Sequence, residues 1–363
     1  MVSIMNSSFN LQKLLRDVFH PQVGEKGLVM VDLPTTQEQD NADWQERRVM
    51  AVEWRNALAD AGVDIPALVT LTSTGSNNAE LPERAKCGDQ EISLSETLAE
   101  SNLVIAMMQY SATAPLAHFV HDNPALRVAS MPGVLRCMEE TALAADYAEV
   151  ARRVAVLEQL ADRATLATLT FATGHEVQFD LRFRRAHGDA GQCRAHTSSR
   201  IINLPSGEAF IVPYEGEREN EPSLTRGEIP VRENDEDLVY IIENNRIIDV
   251  TGTSSTASNR RSWFAADSAR ANVAELGLGC NKAAVVRGSV LEDEKAGIHW
   301  AFGRSEHLGG VIGPNAFRAP ENVVHLDIVY APGCPIEADT LTLTFADGSR
   351  QAILENNHWT VFE

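Results

Sequence analysis

The sequence predicts two domains of different kinds: an α/β domain with a parallel sheet over residues 1–160, and a β-rich α+β domain over residues 161–363. Three observations lead there. A chain of 363 residues is longer than one small core organises. Its first part alternates short branched apolar runs with segments of helical spacing, the pattern of a parallel sheet covered on both faces. After about residue 160 the period falls toward two, as in antiparallel strands.

In order, Gly27 to Leu33 is a short apolar run that stops where Pro34 opens a loop, as a buried parallel strand does. Trp44 to Ala61 follows with Trp44, Val49, Val52, Trp54 and Leu58 at helical spacing and closes at Gly62. Residues 67–72, 103–108 and 127–131 read as further strands, and residues 93–99 as a short helix. Residues 134–163, rich in Ala, Leu, Glu and Arg, make the longest predicted helix and bridge the two domains. Beyond it, residues 166–183, 238–250 and 341–353 read as hairpins; they share a form but no fixed period, so they are not a repeat array. Residues 265–276, ahead of Gly277 and Gly279, are predicted to be the main helix of the second domain.

Bulk properties narrow the functional classes. No apolar run reaches the roughly 18–20 residues that span a bilayer, and Met1 to Asn6 lacks the basic flank and apolar core of a leader. A cytoplasmic protein with no membrane partner is expected. Cys87, Cys137, Cys193, Cys280 and Cys334 are scattered and form no CxxC pair, which predicts reduced thiols rather than disulfides or a cysteine-ligated zinc. A net charge of -20 without any basic block argues against nucleic acid as a partner. The acidic stretches 215–221 and 233–237 read as solvated loops.

The chemistry-bearing residues crowd into one late stretch: Glu275, Glu292, Asp293, Glu294, His299, Glu306, His307, His325 and Asp327. A divalent cation offsets the repulsion of carboxylates gathered this way. Glu294 and His299, five apart, do not match the i, i+4 spacing of two ligands on one helical face, and Gly297 between them favours a turn leading into a strand. In the alternating run from Ile298 to Phe302, His299 points to the same side as Ala301. His325 and Asp327 flank Leu326 on a predicted strand and so share a face. Both pairs are also common as hydrogen-bonded structural pairs. Glu208 follows a turn at Asn203 to Gly207 and reads as a surface residue, while His307 lies in a glycine-flanked loop, either idle or poised over a site. His187 and His196 read as surface residues. Gly277 and Gly279 do not complete a nucleotide-binding GxGxxG, and Cys280 has no neighbouring base that would make it a nucleophile.

Four segments, Asn203 to Pro213, Ala274 to Asn281, Leu291 to Gly303 and His325 to Asp327, occur in the order seen in the aminopeptidase T family of thermophilic metallopeptidases, which the chain resembles over about residues 160–330. The resemblance implies that Glu208, Glu275, Glu294, His299, His325 and Asp327 are ligands of a two-metal centre (zinc, cobalt or manganese), with Glu275 or Glu294 moving the proton of a metal-activated water. It further implies a homodimer and a small peptide substrate whose free amine meets a metal or a carboxylate.

The chain departs from that family at one place. The peptidases carry a tyrosine shortly after the glycine that matches Gly303, positioned to steady a tetrahedral intermediate; here the stretch reads Arg304-Ser-Glu-His307. This variant loop resembles a divergent branch that includes 2,5-dihydroxypyridine dioxygenase. The second resemblance implies a single Fe(II) held by His325, Asp327 and either His299 or His307, in a ring-cleaving dioxygenase acting on a hydroxypyridine-like small molecule. Three functions therefore stand at this stage: an aminopeptidase-type metal hydrolase with His307 near its reacting groups, the dioxygenase, and a non-catalytic member that binds small molecules or partners.

Overall fold

The computed structural model describes residues 9–362, except residue 198 and the side chain of residue 38. The reading of residues 1–6 lies outside the described residues. The chain mixes α and β structure in two compact units. One comprises residues 1–151, 189–207 and 281–285, the other 152–188, 208–280 and 286–363. The division thus falls at 151/152 rather than 160, and two later segments go with the first unit.

In the first unit a seven-stranded sheet runs Ile201–Asn203, Arg127–Ser130, Leu103–Met107, Gly27–Leu33, Val69–Thr72, Arg84–Cys87, Gln90–Ser93. The first five strands are parallel and the last two form an antiparallel edge. The helix Ala42–Asp60 starts where the Asn41 side chain accepts from the Asp43 and Trp44 amides. It buries Trp44, Arg47, Ala51, Trp54 and Leu58, whereas the predicted core residues Val49 and Val52 face outward. The predicted long helix over 134–163 is broken. Short 3-10 turns occupy Arg136–Glu140 and Ala142–Ala144, and a regular helix begins only at Tyr147, where Asp146 Oδ1 accepts from the Ala148 and Glu149 amides. An aspartate in that geometry caps a helix start and so interrupts the periodic run.

The second unit contains two sheets. An antiparallel eight-stranded sheet holds the three predicted hairpins, Ala164–Phe171 with Glu176–Asp180, Glu236–Glu243 with Arg246–Val250, and Ala338–Phe345 with Arg350–Glu355. The five-stranded sheet runs His325–Val329, Ile298–Gly303, Val273–Gly279, Glu208–Ile211, Ala186–Asp189. The predicted helix over 265–276 is corrected here: the helix is Ser255–Ala266, a 3-10 turn follows, and Val273–Gly279 is the central, wholly buried strand of this sheet. Burial on both faces removes the alternation that marks a strand, and the run then resembles a buried helix end. Tyr240 of the larger sheet meets Trp300 and Phe302 of the smaller one edge-on. Trp300 Nε1 donates to Tyr330 Oη (3.1 Å), which donates to the Pro230 carbonyl (2.8 Å). The aromatic layer therefore has its polar atoms satisfied and fixes one face of the Ile298–Gly303 strand. Among the described residues, no helix is long and apolar enough to cross a membrane.

Candidate metal centre

Because strand side chains alternate, seating Trp300 and Phe302 in the aromatic layer turns His299 and Ala301 to the opposite face. The register then places Glu275, Ala301 and Asp327 in one row across three strands, Gly277 opposite His299, Gly303 opposite His325, and Glu208 opposite Gly279. Small residues make the room. A Cβ on Gly277 would lie 1.9 Å from His299 Nε2, so only glycine admits the imidazole there. A Cβ on Gly279 would meet the Glu294 carbonyl at 2.0 Å, so the helix Val290–Ala296 packs directly against the strand. Glu294 thus belongs to a helix and not to the expected turn; Gly297 ends that helix, and the strand begins at Ile298.

Two groups of three result. Glu208, Glu294 and His299 bring ligand atoms within 4.8 Å of one another, and so do Glu275, His325 and Asp327. His299 Nε2 stands at their border, 3.3 Å from Glu208 Oε2 and 3.8 Å from Glu275 Oε1. His325 Nε2 lies 3.0 Å from Glu275 Oε2 and 3.5 Å from Asp327 Oδ1. Each histidine is tied at its other nitrogen to a carbonyl, His299 Nδ1 to Gly297 (3.3 Å) and His325 Nδ1 to Arg304 (2.7 Å). An Nδ1–H donated to a carbonyl aims Nε2 at the carboxylates, as in metal-ligating histidines. Glu208, read as a surface residue, is buried, and its Oε2 accepts no hydrogen bond. An orphaned carboxylate oxygen beside imidazole nitrogens fits a divalent cation, whose common ligands these are.

Other members of the predicted cluster have different tasks. Glu292 pairs with Arg287 at 2.7 Å, Asp293 accepts from the Arg287 and Gly288 amides, and Glu306 pairs with Arg304 at 2.7 Å. His307 sits in a 3-10 turn with its ring perpendicular to that of His325, centroids 5.1 Å apart, and its Nδ1 is buried without a hydrogen bond. Glu215, expected in a solvated loop, is half-buried, with its side chain turned inward. It accepts from Asn272 Nδ2, Ser305 Oγ and the Val311 amide and pairs with Arg184, which anchors the loop that carries His307. His187 and His196 are exposed, and all five cysteines are free thiols.

The charges are strongly perturbed. Burial would depress the imidazolium of His299, but Glu208 and Glu275 override it and hold its pKa well above the ordinary value. His325 is raised in the same way by Asp327 and Glu275. Burial pushes Glu275 up, yet the nearby imidazole of His299 and the hydrogen bond with His325 bring it down to about 2. Glu294 rises to about 8 through burial, with Glu208 and Asp327 adding to the rise against Lys295. His307 falls to about 3 through burial and the charge of His325.

Sequence reasoning missed the roles of Lys295 and Gly277. Lys295 is completely buried and donates to Glu208 Oε1 and, at 2.6 Å, to Glu294 Oε1. The alternation of residues 298–302 already puts Ala301 on the side of His299, as found; nothing in the sequence marks Lys295.

Fold and site together define a two-domain α/β protein with a carboxylate-histidine constellation on the smaller sheet of its second unit. Solved structures share this fold, among them the two that follow. One is 2,5-dihydroxypyridine dioxygenase from Pseudomonas putida KT2440, with a TM-score of 0.64 and 16% identity, covering 98% of this chain and 99% of that one. The other is wild-type AmpT from Thermus thermophilus, with a TM-score of 0.58 and 14% identity, covering 97% and 99%. No protein family and no curated protein matches the chain in sequence.

Proposed function

We propose that this protein is a metal-dependent hydrolase of the aminopeptidase type, acting on small peptides at a centre of two divalent ions of the zinc, cobalt or manganese kind. The observation that carries the reading is the pair of three-residue groups meeting at His299 and Glu275. Glu208, Glu294 and His299 would hold one ion, and Glu275, His325 and Asp327 the other. When bound, such ions polarise a peptide carbonyl and lower the pKa of a shared water. Glu294 and Glu275 are the two candidate bases for that proton; without metal, burial raises Glu294 to about 8, while His299 and His325 bring Glu275 down to about 2. His307 stays uncharged at neutral pH and is available to hydrogen-bond the substrate where the peptidases carry a tyrosine.

The test is metal analysis together with hydrolysis of leucyl amides. Two ions per chain at saturating metal and metal-dependent amide release are expected. A second reading, the one-iron dioxygenase, has a specific observation in its favour: the unpartnered Nδ1 of His307 beside His325. One iron per chain with oxygen uptake on hydroxypyridines would put it in place of the hydrolase. Absence of any bound ion after purification from metal-supplemented medium would sink both and leave the non-catalytic reading.

A further inference from the structure

The two three-residue groups differ in one respect that ligand identity does not reveal. Lys295 Nζ, fully buried, donates to Glu208 Oε1 and to Glu294 Oε1 at 2.6 Å, so one oxygen of each carboxylate in that group is already committed to a fixed positive charge. The oxygen left over on Glu208, Oε2, faces His299 Nε2 at 3.3 Å. Among the described residues, Glu275 and Asp327 have no lysine or arginine partner, and their only ion pairs are with His299 and His325. Counted with every carboxylate ionised, as it must be to bind an ion, and with the histidines neutral, the Glu208 group with its ammonium has a formal charge of −1 and the Glu275 group −2.

A cation entering the first group meets a like charge held in place by two hydrogen bonds, and in a water-poor interior that repulsion is only weakly screened. Helix geometry keeps the ammonium there. Lys295 follows Glu294 on the helix Val290–Ala296, whose last turns are pinned against the sheet at Gly279. Withdrawing the side chain would leave two buried carboxylates without a cation, which is costly.

We propose that Lys295 is a positioning residue that makes the two sites unequal: Glu275, His325 and Asp327 form the tight metal site, and Glu208, Glu294 and His299 a weak one filled second. The inference rests on the metal-centre reading above. The ammonium stands in for part of the second ion's charge, so the protein holds a single ion at low metal and takes up the second only as metal rises.

The test is a Co(II) titration of the metal-free full chain, followed by visible absorption and by native mass spectrometry. In the wild type the second ion binds at least about 100-fold more weakly than the first. His299→Ala keeps the tight ion and loses the weak one, while His325→Ala loses the tight ion. Lys295→Met tightens the second ion at least about tenfold, and Lys295→Arg, which keeps the charge, leaves the gap in place. Two wild-type ions of equal affinity, or a tight ion lost in His299→Ala, overturn the proposal while leaving the metal centre standing. A second ion that weakens or stays unchanged in a folded Lys295→Met also overturns it. No ion bound by the wild type removes the metal centre itself. If Lys295→Met does not fold, the wild-type ratio and the two histidine variants decide.

Discussion

Gly277→Ala tests the site through one methyl group. The new Cβ would lie 1.9 Å from His299 Nε2, 2.1 Å from Cε1 and 2.4 Å from Cδ2. Carbon contacts settle at about 3.5–4.0 Å, so the ring must retreat by roughly 1.5 Å. It has little freedom to do so otherwise, being buried and tied at Nδ1 to the Gly297 carbonyl. Metal–nitrogen bonds tolerate about 0.2 Å around a length of about 2.0–2.1 Å. A shift several times larger removes His299 as a ligand. The ion it shares with Glu208 and Glu294 should bind at least about 100-fold more weakly, beyond what a lost supporting contact costs. The ion at Glu275, His325 and Asp327 should be retained. Overpacking costs about 1–3 kcal/mol, which for a unit of this size lowers the melting temperature by about 2–4 °C per kcal/mol. The assay is Co(II) titration of wild type and variant, with thermal unfolding of the metal-free proteins. A variant that takes up both ions with wild-type affinity would show that His299 is not a ligand.

Three further outcomes follow from the same geometry. In the metal-free protein His325 has a raised pKa and holds a proton that the ion at Glu275, His325 and Asp327 must displace, so the apparent Co(II) affinity of that site should rise about tenfold per pH unit between pH 5 and 8 and fall in acid; a flat profile over that range would contradict the protonation argument. Tyr330→Phe leaves Trp300 Nε1 and the Pro230 carbonyl without partners and should cost about 1–3 kcal/mol in denaturant unfolding, with metal stoichiometry unchanged. Glu215→Ala strips the acceptor from Asn272, Ser305 and Val311 and should cost a similar 1–3 kcal/mol or so, while making the loop after Gly303 a preferred site of limited proteolysis; an unaltered cleavage pattern would mean the loop is held by other contacts.

The legible parts of this molecule are those where local period and tertiary environment agree. The three hairpins of the second unit were readable because each has one face against the core and a tight turn, such as Asn244 and Asn245, both at positive φ. His325 and Asp327 were readable as a pair because Leu326 between them is exposed, which keeps the alternation visible. Val273–Gly279 was not readable, since every residue in it is buried. Glu294 sits on a helix for a related reason: Gly297 favours a turn in the local pattern, whereas in the fold it terminates a helix. Lys295 could not have been found by these means, because a lysine in a charged stretch is normally solvated, and only packing against the sheet decides otherwise.

The alternation of one strand links stability to chemistry here. Ile298–Gly303 presents Trp300 and Phe302 to the aromatic layer and His299 and Ala301 to the site, so a one-residue slip in its register would exchange the two faces at once. It would place an imidazole among aromatic rings and a tryptophan against Glu275. Both faces oppose such a slip: the Trp300, Tyr330 and Pro230 hydrogen bonds on one side, and on the other Gly277, the only residue type that admits His299 opposite it. The metal-competent groups are therefore held in register by the hydrophobic core behind them, and substitutions in that core that leave the fold intact should leave ligand geometry intact as well.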